Sequence, residues 1–339
     1  MNITDKEKSQ LRKKITVSVS QSIRRKRYKK YGLGLAAASL VVFFSINIFI
    51  NKTEERSPID SYVKTSHSGR IPEQVRLILS DNQNVEITNS DSNISYSNTG
   101  EQVTIGSTKS VNQKTLKDQK VVFNTLIVPY GKRSSIELAD GSKVWLNSGS
   151  KLVFPAAFTQ EQREVYLEGE GIFEVAHDNK HPFIVKSGGQ NIEVLGTVFN
   201  VRNYHDDAAI STVLKSGSIK ISYHNNISEN SFESITIVPN TLAVYDRYDK
   251  QIKTQKVEVE KYFSWRDGIF IFKNDSMQSI MKKISRYYNI QIVINNKDLE
   301  NTTFSGYLDV KDRVDKVIKT IQETTTFNYT IIDNKIIIN

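Results

Sequence analysis

Apolar and polar positions along the chain fall into distinct regimes, and each regime predicts a different kind of element. From residue 75 the period is two. "VRLILSDNQNVEI" (75–87) and "SSIELADGSKVWL" (134–146) are each two alternating runs about a short turn, Asp81-Asn82 in one and Asp140-Gly141 in the other. That is the signature of a β-hairpin. The two stretches also align with each other at a constant offset of 59: Leu77, Leu79, Asp81, Val85 and Ile87 match Ile136, Leu138, Asp140, Val144 and Leu146. Between them, 88–120 is rich in Ser, Asn, Thr and Gln and predicts exposed loops. From 121 to about 255 alternation recurs with turns and without a helical period, as in "REVYLEGEGIFEVA", "FIVKSGGQNIEVLGTVFNVRNY" and "STVLKSGSIKIS". Many short strands at this spacing predict an all-β sandwich, roll or solenoid-like stack.

After Tyr262 the period becomes mixed. "GIFIFKND" is a strand that ends in the cap residues Asn274-Asp275-Ser276, and Met277, Ile280, Met281 and Ile284 then follow helical spacing. "IQIVINN" and "TTFSGYLD" are strands; Val314, Val317, Ile318 and Ile321 mark a second helix; "NYTIIDNKIIIN" reads as a closing hairpin. The order β-α-β-β-α-β-β predicts a compact α+β module with its helices against one sheet face.

Residues 32–50, "GLGLAAASLVVFFSINIFI", are uniformly apolar, with only Ser39, Ser45 and Asn47 polar. As a helix, these nineteen residues rise about 28 Å, close to the hydrocarbon thickness of a bilayer. The run exceeds the length of a signal-peptide core, and "IFINKT" offers no small-x-small cleavage site, so it reads as a retained anchor. Charge orients it. Residues 1–31 hold eleven Lys/Arg and two acids, a net of +9, and the whole chain is also +9. Six cations lie in the eleven residues before the run and two, Lys52 and Arg56, in the eleven after. The positive-inside rule then places the N-terminus in the cytoplasm and everything after residue 50 outside it. The basic run sits against anionic headgroups, which leaves no role for a direct nucleic-acid contact. The predicted organisation is a cytoplasmic segment (1–31), a transmembrane helix (32–50), a polar tether (51–70), an all-β domain (71–258) and an α+β domain (259–339).

The cytoplasmic segment is too short for a domain but carries helical signals. Thr4-Asp5-Lys6-Glu7 fits a capping box, and Leu11, Ile15, Val19 and Ile23 form one apolar stripe. Two readings stand equally: a helix lying on lipid, or a docking helix for a cytoplasmic protein.

Candidate chemistry is sparse. The chain has no cysteine. His177 and His181 have H-x3-H spacing, but in a turn before Pro182 rather than on a helix, so no metal site is expected, nor any cofactor. Glu168, Glu170 and Glu174 alternate along a strand and read as a solvated face. His205-Asp206-Asp207 could pair a base with its orienter, but no nucleophile answers to it. Gly196-Thr197 stands apart. A Thr hydroxyl beside an unhindered Gly carbonyl can attack it in an N-to-O acyl shift if the backbone is strained; the simpler reading is a strand bend that uses Gly.

Several of these stretches carry a family likeness. Pro129-Tyr130-Gly131, L-x-D-G-S/T-x-V-W-L-N (Leu138–Asn147), G-E-x-x-F-x-V (Gly169–Val175), H-P-F-x-V (His181–Val185) and L-G-T-x-F-x-V (Leu195–Val201) closely resemble the periplasmic domain of FecR-type transmembrane anti-sigma factors. The module from Phe263 resembles the C-terminal domain of their Bacteroidota members, related to the short N-terminal domain of secretins and TonB-dependent receptors. The resemblance implies an inner-membrane regulator. Its cytoplasmic segment would hold an extracytoplasmic-function (ECF) sigma factor, and its periplasmic side would receive a signal from the N-terminal signalling domain of a TonB-dependent outer-membrane transporter. It also implies self-cleavage at Gly196-Thr197 in some members, followed by intramembrane proteolysis. One departure stands out: many members have a longer cytoplasmic region containing tryptophan, whereas these 31 residues have none. The sigma contact would then rest on Leu11, Ile15, Val19 and Ile23, with inhibition and co-activation both open. The competing reading is a membrane-anchored periplasmic glycan- or ligand-binding protein using Trp145 and Trp265. An enzyme is not expected beyond the self-cleavage.

Overall fold

The computed structural model describes residues 57–65 and 72–339 apart from 80–82, 89–92, 108, 118–119 and 226–231, together with Ser9, Arg12, Lys13, Lys14, Thr16, Val17 and Val19. The chain divides into two units, Met1–Ser57 and Pro58–Asn339. In the first, the seven described residues from Ser9 to Val19 are helical, and Thr16 Oγ1 donates to the Arg12 carbonyl at 2.6 Å. Of the predicted stripe, Val19 is helical and 48% exposed; Leu11, Ile15 and Ile23 lie outside the described residues. So does the apolar run 32–50. Among the described residues no helix is long and apolar enough to cross a membrane.

The second unit is mostly β. In sheet I the spatial order is Asn84–Ile87, Val75–Ile78, Phe123–Val128, Ser150–Pro155, the first half of Arg163–Glu174, Phe183–Ser187, Gln190–Val194, Ile219–His224 and Phe232–Ile237. Sheet II runs Lys109–Asn112, Gln102–Ile105, Ile94–Tyr96, Ser134–Glu137, Lys143–Leu146, the second half of Arg163–Glu174, Val198–Asn203, Ala209–Ser216, Thr241–Asp246 and Ile252–Lys256. One strand therefore serves both sheets, and it crosses at Gly169. There φ is +90°, and a Cβ would lie 2.4 Å from Ser150 Oγ, so only glycine can turn the strand at that point. The inward alternate residues of both sheets, among them Leu77, Leu126 and Val165 facing Ile136, Val144 and Phe199, form one core.

Both predicted hairpins are present and share one register. Leu77 faces Val85 as Ile136 faces Val144, which is the offset of 59 repeated in space. The expectation of loops over 88–120 fails. Ile94–Tyr96, Gln102–Ile105 and Lys109–Asn112 extend sheet II, because the short alternations Ile94/Tyr96 and Val103/Ile105 bury their apolar members among otherwise polar residues. The stretch read as a tether carries a helix, α1 (Pro58–Thr65). Its Ile59 is fully buried, Asp60 pairs with Lys186 at 2.7 Å, and the Tyr62 ring lies 5.3 Å from that of Phe123.

The C-terminal part contains α2 (Glu260–Phe263), α3 (Met277–Tyr288), α4 (Lys297–Asn301) and α5 (Val314–Gln322). Its strands form two small sheets instead of the expected one. Ile269–Ser276 pairs with Thr303–Asp309, while Gln291–Ile294, Lys335–Ile338 and Tyr329–Ile332 make a second sheet. Two helices go beyond those predicted, α2 and α4; α4 starts where the Asn296 side chain accepts from the Asp298 and Leu299 N–H groups at 3.0 and 3.2 Å, a cap inside a stretch read as strand and loop. Met277, Ile280, Met281 and Ile284 bury the apolar face of α3, as their spacing predicts.

Candidate functional site

Two places concentrate polar chemistry within the second unit: the Gly196-Thr197 peptide, and the seam where the C-terminal module meets sheet II. The peptide lies between the strands Gln190–Val194 and Val198–Asn203, alongside residues 175–178. The Val175 N–H donates to the Thr197 carbonyl at 3.0 Å and the Asp178 N–H to the Leu195 carbonyl at 2.8 Å. A Cβ on Gly196 would meet His177 Nδ1 at 2.4 Å and His177 Cα at 2.9 Å, so the requirement for glycine is steric. Gly196 is not in the left-handed region. Thr197 is buried, and its Oγ1 donates to the Ser218 carbonyl at 3.2 Å. On that side a Cβ on Gly217 would come within 2.7 Å of Thr197 Oγ1 and 3.0 Å of the Gly196 carbonyl oxygen. The peptide is thus enclosed by His177 and Gly217; spacing marks His177 only as half of an H-x3-H pair and ties neither residue to the peptide.

At the seam, Ile172, Val213 and Leu242 from the outer face of sheet II join the module's core with Phe263, Trp265, Ile280 and Ile284. Arg286, on α3 and 8% exposed, reaches Asp206 and Asp207 at 2.7 Å each and stacks on the Tyr204 ring at 3.8 Å. Lys282 adds contacts to the same carboxylates at 3.1 and 2.8 Å, and Arg202 holds Asp207 at 2.8 Å. Burial alone would raise the Asp207 carboxyl, but the Arg202 charge and the hydrogen bonds from Arg286 and Lys282 outweigh it and hold it well below the usual carboxylate range. His205-Asp206-Asp207 is therefore a docking element: its carboxylates answer to α3 and Arg202. The two tryptophans are packed, Trp265 in the module's core and Trp145 against it, with the Arg266 guanidinium 5.0 Å from the Trp145 ring. Among the described residues no three His, Cys, Asp or Glu side chains gather as a metal site.

The same regions are those recognised by comparison with known proteins. The FecR protein pattern matches residues 124–220 and the "FecR, C-terminal" pattern matches 269–338. The chain belongs to the FecR family of anti-sigma factors. Among solved structures, a candidate anti-sigma factor from Parabacteroides distasonis ATCC 8503, at 1.65 Å resolution, is 26% identical with a TM-score of 0.57, covering 63% of this chain and 98% of its own. Its 2.50 Å structure is 25% identical with a TM-score of 0.57, covering 64% and 98%. Two short matches are to acireductone dioxygenases: Macaca mulatta, 31% identical over 78 residues, and Homo sapiens, 30% over 78, each covering 23% of this chain and 43% of the relative. The chain thus spans less than half the length of the curated relatives it matches.

The FecR motifs prove to be structural joints. Arg163 gathers two of them and the residue just after a third: its Nη1 pairs with Asp140 at 2.7 Å and donates to the Ala176 carbonyl at 2.9 Å, and its Nε donates to the His181 carbonyl at 2.8 Å. Glu170, read above as solvated, is 8% exposed and accepts from Asn147 Nδ2 at 2.9 Å and Asn200 Nδ2 at 3.2 Å, joining three further motif positions. Of the other two acids, Glu174 is exposed and Glu168 pairs at the surface with Lys151 at 3.0 Å. The P-x-G element docks the module, since the Gly131 N–H donates to the Arg286 carbonyl at 3.0 Å and its α-carbon lies against Asn289.

Proposed function

We propose that this FecR-family chain is a single-pass inner-membrane anti-sigma regulator that relays a signal from a TonB-dependent outer-membrane transporter to a cytoplasmic ECF sigma factor. The observation that carries the reading is the pairing of FecR and FecR C-terminal modules in one unit, preceded in the sequence by a charge-free run with cations on its N-terminal side. In this reading the module from 259 onward receives the transporter's N-terminal signalling domain, and the helix carrying Leu11, Ile15, Val19 and Ile23 holds the sigma factor. The strand Tyr329–Ile332, an outer strand of its sheet with Ile331 42% and Ile332 53% exposed, supports strand addition as the periplasmic contact.

Release would follow cleavage at Gly196-Thr197. Thr197 Oγ1 adds to the Gly196 carbonyl carbon, its proton passes to the departing Thr197 nitrogen, and the C–N bond breaks to leave an ester. Water then hydrolyses the ester to a Gly196 carboxylate and a free Thr197 hydroxyl. The test of the reading is co-purification of the full chain, in detergent, with tagged ECF sigma factors of the same genome. Retention of one, abolished by Leu11→Asp and Ile15→Asp, supports it; retention of none removes the sigma arm.

A further inference from the structure

Helix α1 is the first described element after the apolar run 32–50, and the proposed relay as it stands gives it no task. At eight residues it cannot hold its own shape in water, where helices shorter than about 12–15 residues are marginal. Its packing on sheet I holds it instead. Ile59 is fully buried, the Tyr62 ring lies 5.3 Å from that of Phe123, and the Tyr62 hydroxyl is 3.5 Å from Thr125 Oγ1. Asp60 accepts from Lys186 Nζ at 2.7 Å, and Lys186 has Glu164 as a second carboxylate at 3.5 Å. Lys64, in the last turn, is exposed. A basic side chain that a protease could read is therefore on show while the backbone beside it is folded. Endoproteases cut extended chain, so a bond inside α1 breaks from the undocked, unwound state, at a rate set by how often that state is populated. The places of these partners in the chain matter as well. Phe123, Thr125, Glu164 and Lys186 all precede Gly196, so breaking the Gly196-Thr197 peptide leaves them on one piece with α1. The support beneath them is shared, however. Lys186 lies on the strand Phe183–Ser187, which pairs with Gln190–Val194, and that strand pairs in turn with Ile219–His224 from beyond the peptide.

We propose that α1 is a latch over a concealed cleavage segment: docked on sheet I, it withholds residues 58–65 from an endoprotease on the exported side, and it opens when the sandwich comes apart. This rests on the reading of residues beyond 50 as exported and of release as proteolytic, but the latch is tested without either. The full chain in detergent is digested with limiting trypsin, and cutting of the Lys64–Thr65 bond is followed by mass spectrometry. Ile59→Asp, which sets a charge in the buried site of Ile59, should speed that cut by about tenfold or more, while Ile59→Val should match the parent. Should Ile59→Asp fail to fold, Asp60→Lys, at a half-exposed position, turns a cation toward Lys186 and should speed the cut in the same way with the sandwich's unfolding midpoint unchanged. The series is repeated in Thr197→Ala, where self-cleavage is blocked. The same pattern there supports the latch whether or not the parent chain cleaves itself, so the two readings fail separately. A parent cut at Lys64 as fast as these variants, or folded variants as resistant as the parent, overturns the proposal.

Discussion

A methyl group at position 196 has nowhere to go, because His177 Nδ1 would lie 2.4 Å from it and His177 Cα 2.9 Å. Gly196→Ala is therefore expected to destabilise the sandwich by about 2 kcal/mol, the usual cost of overpacking, read as a lower denaturant midpoint. His177→Ala in the same chain should recover only part of the loss, since the ring goes but the backbone of residue 177 still crowds the new methyl. Position 197 separates packing from chemistry. If the peptide cleaves itself, Thr197→Ser keeps the hydroxyl and the cleavage, while Thr197→Ala stops it and gives a single full-length band by gel and mass spectrometry. Persistence of the cleaved fragments in Thr197→Ala would assign them to another protease. The L-G-T motif is legible in the sequence; its enclosure is not. His177 lies in a turn nineteen residues earlier and Gly217 in a turn twenty residues later, and no periodicity links turns on different strands.

Among the elements, those with long alternation were the readable ones. The hairpins at 75–87 and 134–146 and the apolar face of α3 follow directly from spacing, because one buried face fixes the period. Ile94–Tyr96 and Gln102–Ile105 escape notice because three or four residues are too few to show a period among polar neighbours. The seam between the modules escapes for another reason. Asp206 and Arg286 are 80 residues apart, and each alone looks like an ordinary solvated charge. Arg286→Met keeps contact with the Tyr204 ring but removes both 2.7 Å pairs, and should cost about 3 kcal/mol, with the module becoming protease-sensitive before the sandwich does. The folded-state pKa values of Asp206 and Asp207 lie below their unfolded values because Arg202, Lys282 and Arg286 face them. The stabilisation they supply is thus complete above about pH 4 and drains away as the pH falls below it. Unfolding midpoints between roughly pH 5 and pH 2 should fall steeply in the parent chain and less steeply in Arg286→Met.

At the scale of the whole molecule, the proposed relay needs a surface that a partner can complete, and the last sheet offers one. Asn328 and Asn339 exchange both backbone hydrogen bonds, at 3.2 and 2.8 Å. Antiparallel geometry then turns the backbone groups of Thr330 and Ile332 toward the strand Lys335–Ile338 and those of Tyr329 and Ile331 away from it. The outward N–H of Ile331 is one that an added strand would use. Ile331→Pro deletes that donor and sets an extended φ, while every ladder bond to Lys335–Ile338 remains. On the proposed relay, the full chain carrying Ile331→Pro should keep its unfolding midpoint and any sigma-factor retention, yet bind the signalling domain of the proposed transporter partner at least about tenfold more weakly than the parent. Ile331→Val keeps the donor and should bind as the parent does. Unchanged affinity in Ile331→Pro would move the contact off this edge, and loss in both variants would point to the isoleucine side chain as the feature recognised.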